Sequence, residues 1–229
     1  MRIEPLGDSA LLVRVVENYG RESDRSLDAV LGTFAQLEAA AIPGVIELAP
    51  AYTTIGVFFD PALTRFDALK AQIEQLLQNT EPAEPRGVTG STIEVPVCYE
   101  DEFAPDLREV AWHARLSVQE VVRRHSAAIY RVNCVGFTPG FPYLSGLPPE
   151  LATPRRASPR KEIPAGAVAI GGTQTGIYPR KSPGGWNIIG RTSLSLFEVK
   201  REPPSLFQAG DRVRFRRISR EEFERSSAA

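Results

Sequence analysis

The sequence predicts an α+β protein in two parts, a small α/β domain over residues 1–85 and a mainly-β domain over residues 86–229. Three observations carry that expectation. Strand-like and helix-like apolar periods alternate through the first third of the chain. A polar stretch rich in Pro and Gly, residues 80–90, then interrupts them in the manner of a linker. Beyond Ile129 only short extended runs separated by turn formers remain. With 229 residues the chain is long enough to bury two small cores.

Arg2 to Val16 contains two extended runs around Gly7-Asp8, and Leu11, Val13 and Val15 alternate as one face of a strand. Leu27, Val30, Leu31, Phe34 and Leu37 recur at helical spacing, and Pro43-Gly44 closes that helix. Val45–Leu48 and Thr53–Phe59 are β-branched and aromatic, hence strands. Asp60 as N-cap and Pro61 at the first helical position open a second helix, with Leu63, Phe66, Leu69, Ile73, Leu76 and Leu77 on its buried face. The order ββαββα places helices against one side of a sheet. In the second domain a strand over Thr92–Tyr99 precedes two helices. Pro105–Ala114 turns Leu107, Val110, Ala111 and Ala114 inward. Ser117–His125 opens on the capping box Ser117/Glu120. Arg212, Arg214 and Arg216 alternate with Val213 and Phe215, as the wet face of a strand would. Arg225–Ala229 reads as a frayed end.

Hydrophobic residues make up 42% and charged residues 24% of the chain, ordinary globular values. The formal net charge of −1 supplies no field for nucleic acid or an anionic membrane. The helix pair at 105–125, with Arg123 and Arg124 on the second member, mimics a helix-turn-helix, and the neutral charge balance argues against that use. No apolar run approaches the roughly 20 residues of a membrane helix, and Glu4, Asp8 and Arg14 break any signal-peptide pattern. Two cysteines, Cys98 and Cys134, suit a reducing cytoplasm. With His113 and His125 they form no close ligand pair, so no metal is expected.

Gly136 to Arg191 holds 10 of the 18 glycines and 9 of the 19 prolines in about a quarter of the chain. That density means ordered, non-repetitive loops, either the turns of a barrel or the walls of a pocket. Gly136-Phe-Thr-Pro-Gly-Phe-Pro-Tyr143 interleaves aromatics with rigid turns. Gln174-Thr-Gly-Ile-Tyr178 adds an amide, a hydroxyl and a phenol, and Ser182-Pro-Gly-Gly-Trp186 sets backbone N–H groups beside an indole. Rigid aromatics with a few polar groups are what a small-molecule site requires. Arg155, Arg156, Arg160 and Lys161 form a basic cluster, either a solvated loop or an anion clamp that Arg191 joins. Gly171 to Gly176 has Walker-A spacing, but Ile177 stands where the lysine belongs, and there is no Gly-x-Ser-x-Gly elbow.

The motifs Gly136-Phe-Thr-Pro-Gly-Phe-Pro-Tyr-Leu144, Pro154-Arg-Arg156 through Pro159-Arg160, Ile163-Pro-Ala-Gly166, Val168 to Pro179 and Ser182-Pro-Gly-Gly-Trp-Asn-Ile-Ile-Gly-Arg-Thr192 follow one another as in a known family. The chain resembles the 5-oxoprolinase B-subunit group, also called KipI or allophanate hydrolase subunit 1. It departs from the family pattern where Glu100, Asp101 and Ala104 replace usual glycines and Ser193 replaces a common proline. The resemblance implies a cyclophilin-like barrel after the α/β domain. It also implies action with A and C subunits, in the cytoplasm, to cleave 5-oxoproline to L-glutamate with ATP and magnesium. Two alternatives follow from the same group: a KipI-type inhibitor of a sensor histidine kinase, or a partner in a urea- or allophanate-related carboxyltransferase. For the enzyme, Arg160, Lys161 and Arg191 are expected at anionic groups, with His125 as acid, base or orienting donor rather than only a helix-end cation. Gln174, Thr175 and Tyr178 are expected to bond substrate. Phe141, Tyr143 and Trp186 wall the pocket, and Gly184 and Gly185 present backbone N–H groups to an anion.

Overall fold

A computed structural model describes residues 1–17, 23–79 and 92–227. The chain separates into two compact units, Met1–Thr89 and Gly90–Ala229. The expected linker, including the 85/86 boundary, falls outside the described residues.

The first unit follows the ββαββα order. Strands β1 (Arg2–Pro5), β2 (Ala10–Arg14), β3 (Val45–Ala51) and β4 (Thr54–Phe59) form one antiparallel sheet in the order β1-β2-β4-β3. Helices α1 (Ser23–Ala40) and α2 (Phe66–Asn79) cover it. Leu11, Val13, Ile55 and Val57 of the sheet meet Val30, Leu37, Leu69 and Ile73 of the helices in one core. The expected start of the second helix is corrected. Asp60 caps a turn, accepting Ala62 N–H at 2.8 Å, and the N–H groups of Leu63 and Thr64 return to its carbonyl. That local closure ends before the helix begins at Phe66 and leaves Leu63, expected inside, 74% exposed.

The second unit is a closed seven-stranded barrel in the order β10-β7-β6-β13-β5-β12-β9. Its strands are β5 (Ile93–Cys98), β6 (Tyr130–Val135), β7 (Pro142–Ser145), β9 (Ala167–Gly171), β10 (Gln174–Ile177), β12 (Asn187–Arg191) and β13 (Arg212–Ile218). β13 pairs with β5 in parallel, and the other ladders are antiparallel. A separate pair, β8 (Arg160–Ile163) and β11 (Ser182–Gly184), lies outside the barrel ladder. Helices α3 (Leu107–Ala114) and α4 (Val118–Ala127) send Leu107, Val110, Val121 and Val122 into the barrel core. Ser117 caps α4 by accepting Glu120 N–H at 3.2 Å, as its capping box predicts. A last helix, α5 (Arg220–Ser227), includes residues expected to fray. Phe223 anchors it against Phe103, with ring centroids 4.6 Å apart, and Ser219 caps it through Glu222 N–H. Cys98 and Cys134 are buried free thiols. Among the described residues no helix is long and apolar enough to cross a membrane.

Inside the barrel lies one polar wire. His125, at the C-terminal turn of α4, is fully buried and stacks on Phe215 at 4.5 Å. Thr175 Oγ1 donates to Ala169 O at 2.9 Å, so its lone pair faces His125 Nε2 at 3.1 Å. The imidazole therefore carries its proton on Nε2, and Tyr99 Oη donates to Nδ1 at 2.8 Å. Both ring nitrogens are satisfied in the neutral form. Burial lowers the His125 pKa from 6.5 to about 3. Below its ordinary pKa the unfolded chain therefore takes up a proton that the folded chain refuses. Stability is complete above pH 6.5 and is lost as pH falls from 6.5 toward about 3, by ~1.4 kcal/mol per pH unit. Denaturant melts at pH 7 and pH 5 check this: wild type should lose roughly 2 kcal/mol between them from this group. The His125→Gln protein should be weaker at pH 7 but show a flatter acid slope. Equal slopes would assign the acid sensitivity to carboxylates instead.

Candidate functional site

Strand β9 is buried on both faces, and this positions the site. Val168 and Ile170 point into the barrel core, while Ala167 and Ala169 point outward beneath a second cluster. That cluster is aromatic: Phe141, Tyr178 and Trp186, with Tyr143 packed at its edge. The alanines leave the depth that these rings need. Trp186 lies flat on Gly171, where any Cβ would sit 2.5 Å from the indole carbons. Gly184 likewise has its open side against the Tyr178 hydroxyl. Phe141 meets Tyr178 and Trp186 edge to face, at 5.1 and 5.6 Å between centroids.

Between these rings and the loop at 154–159 is a cavity of about 200 Å³. Phe137, Phe141, Tyr143, Tyr178 and Trp186 form its aromatic wall, and Arg155, Arg156, Pro159, Gly184 and Gly185 complete it. Phe137 stands at left-handed φ 67° and is 61% exposed, its ring edge-on to Phe141. Burial raises the pKa of both Tyr143 and Tyr178, so neither phenol is a ready base. The lining contains no carboxylate, imidazole or thiol among the described residues.

The loop carrying the arginines is fixed by two residues that the sequence did not single out. Asn187 Nδ2 donates to Pro154 O at 2.9 Å and to Ile170 O at 3.2 Å. Asp106, at the N-terminus of α3, has a side chain only 3% exposed. It receives Arg160 through two bonds of 2.8 and 2.7 Å, Arg156 Nη1 at 2.9 Å and the Ile188 N–H at 2.7 Å. Arg155 is held differently. Its guanidinium sits 5.6 Å above the Trp186 ring, and no carboxylate partner is found for it among the described residues.

The structure thus brings together Phe141, Tyr143, Tyr178, Gly184, Gly185 and Trp186 from the expected set. Gly184 enters as a close-packing position against Tyr178, and Gly185 through its carbonyl, which accepts Arg156 N–H at 2.8 Å. The remaining expectations lie elsewhere. Arg160 is consumed by Asp106, and Lys161 is exposed on β8 outside the cavity. Arg191 donates Nε to Ala165 O at 2.9 Å. Gln174 pairs with Gly171 in the β10–β9 ladder. Thr175 and His125 belong to the sealed barrel interior, so His125 is a packing group there and not a solvent-reachable acid or base. Spacing in sequence cannot show that Arg160 already has a partner 54 positions away.

The barrel with helices α3 and α4 on its core lies within a chain that matches a carboxyltransferase-type domain. The family model for the carboxyltransferase domain, subdomain C and D, matches residues 1–207. The chain is 42% identical to the 5-oxoprolinase B subunit of Bacillus subtilis, over 97% of this chain and 95% of that one. The crystal structure of TTHA0988 superposes with a TM-score of 0.77 at 36% identity, covering 93% of this chain and 40% of that longer chain. The urea carboxylase of Kluyveromyces lactis shares the fold, with a TM-score of 0.75 at 21% identity, over 97% of this chain and 22% of that one. The chain belongs to the family of 5-oxoprolinase B subunits.

The seat of Trp186 gives a direct check. Gly171→Ala should push the indole off β9 and cost ~1–3 kcal/mol, the usual range for overpacking. Urea melts would read the loss, and the fluorescence maximum of Trp186 should shift to the red. An unshifted maximum would mean that the indole does not rest on Gly171.

Proposed function

We propose that the chain is the B component of an ATP-dependent 5-oxoprolinase, acting with A and C subunits to open 5-oxoproline to L-glutamate. The observation that carries this reading is the cavity: an aromatic box with one guanidinium that lacks a carboxylate partner among the described residues, and no acid or base in its lining. Such a site binds and orients a small flat molecule bearing a negative group. Correspondence over 97% of this chain with the Bacillus subtilis B subunit, whose name itself assigns it to a larger enzyme, supports the same reading. A five-membered lactam is planar and carries a carboxylate, and it matches the box in shape and charge. Lactam hydrolysis also demands a nucleophile and proton transfer. With both phenols held protonated and His125 sealed in the barrel, those groups come from partner chains. ATP with its magnesium is assigned to the complex as well, because a wall with one guanidinium lacking a carboxylate partner among the described residues matches the charge of a triphosphate poorly.

A second reading has one observation in its favour. A putative urea carboxylase of Emericella nidulans is 32% identical over 55% of this chain, though only 11% of that protein is covered. A carboxyltransferase partner would use the same box for a small planar amide. Substrate choice in the assembled complex separates the two.

The test is reconstitution. Purified A and C chains with ATP and 5-oxoproline should release glutamate only when this chain is added. In that assay Trp186→Ala should lower kcat/KM by roughly tenfold or more, whereas Arg191→Ala, outside the cavity, should stay near wild type. Glutamate formation without this chain would remove the subunit role, and wild-type rates for Trp186→Ala would move the site elsewhere.

A further inference from the structure

We infer that the aromatic cavity is a monocarboxylate site that excludes nucleotides, with Arg155 as its specificity-determining anchor and Asp106 as the residue that enforces the single charge. Free charge at named atoms decides the ligand class. Three arginines sit on or beside the cavity: Arg155, Arg156 and Arg160. Asp106 takes Arg160 through a two-pronged contact and Arg156 through Nη1, and Glu109 adds a second, weaker partner to Arg156 at 3.5 Å. Two carboxylates thus neutralise two guanidiniums. Of the three, Arg155 alone has no carboxylate partner among the described residues, and its contact with the Trp186 ring occupies none of its N–H donors with an acceptor.

The remaining geometry selects the ligand class. An arginine edge matches the two oxygens of a carboxylate. The wall is built from rings that pack on one another edge to face, and it offers apolar surface to a small flat body. A triphosphate presents several charges to a wall with one net cation, and the volume lies below the usual range of drug-sized pockets, ~300–1,000 Å³. Asp106 acts at a distance from the ligand. It is a positioning residue: it pairs the charge of Arg156 in the wall and of Arg160 behind it, and without its charge the wall becomes polycationic.

The link to the lactam rests on the proposed function, whereas the monocarboxylate site rests on the cavity alone, and the experiment separates them. Trp112, 80% exposed, and Trp186 are the two tryptophans of the chain. Replacing Trp112 by Phe leaves Trp186, inside the cavity wall, as sole reporter. This chain is titrated with 5-oxoproline, with cyclopentanecarboxylate, with 2-pyrrolidone, which lacks the carboxylate, and with Mg-ATP. Both carboxylates should give a saturable change in Trp186 emission. The uncharged lactam should bind at least tenfold more weakly, and ATP should neither change the emission nor compete. Arg155→Ala should weaken the carboxylates at least tenfold, with Arg155→Lys recovering part of the loss. Asp106→Asn, used where its circular dichroism shows it still folded at the assay temperature, should gain affinity for ATP or pyrophosphate; a merely structural role would not create it. Should that variant not fold, Glu109→Gln offers a milder form of the same change.

Cyclopentanecarboxylate binding without 5-oxoproline binding would keep the monocarboxylate site and detach it from the lactam. Failure of both carboxylates, unchanged affinity in Arg155→Ala, or competition by ATP in the parent chain overturns the inference. The subunit role would survive that result if reconstitution succeeds.

Discussion

The carboxylate of Asp106 organises everything around the site. It stands at the N-terminus of α3, yet its partners come from β8, β12 and the loop between the 3-10 turn Pro149–Leu151 and β8. One group therefore ties a core helix to the barrel wall and to the outer strand pair. Breaking a buried ion pair from one side typically costs ~3–5 kcal/mol, because the surviving charge is left stranded. The Ile188 N–H adds a neutral donor that such a carboxylate needs to complete its shell. The same group sets the electrostatics of the cavity, so stability and ligand selection share one side chain. The loop at 154–159 can change only so far as these bonds permit.

Above that anchor, the site is a problem of thickness. A strand buried on both faces separates the barrel core from the aromatic cluster, and residue size differs across it: Val168 and Ile170 fill the inside, Ala167 and Ala169 thin the outside. Gly171 continues the thin side to the point where the indole rests. The small residues let the rings sink against the strand, where they are nearly fully buried, and the faces and edges left over wall an open space. The cavity is thus the complement of small residues below and rigid rings above. Its preorganisation comes from close packing, which interiors hold at near-crystalline density.

Much of this is legible in the sequence, and the limits are physical. Periodicity yields the order ββαββα and the two helices before the barrel, because burial of one face writes itself into spacing. The start of the helix at Phe66 escapes it because Asp60-Pro61 satisfies its own turn locally, a choice that propensity cannot rank against a continuing helix. Helix α5 offers one apolar contact, Phe223, and a Ser219/Glu222 cap that is the signal for it. The aromatic wall is visible because rigid turns and rings cluster along the chain. The roles of the arginines within that cluster are not. Arg160 and Arg155 look alike in sequence, and only a long-range partner, Asp106, decides which is spent and which is free. His125 fails as a candidate for a related reason: a histidine on a helix end reads as a surface group until the barrel closes around it.

The division between binding and chemistry follows from the same constraints. A wall made largely of rings disfavours unpaired charge within it, since such a charge would be desolvated at a cost of several kcal/mol. Of the two arginines in its wall, Arg156 is paired with Asp106, and Arg155 is exposed and lies against an indole. A general base placed among the rings would have its own pKa driven toward the neutral form, as burial does to Tyr178. Selective binding by this box and proton transfer within it are therefore opposed demands. Supplying the reactive groups from a second chain resolves the conflict: the box keeps its apolar wall, and the charges arrive only with the partner that closes it.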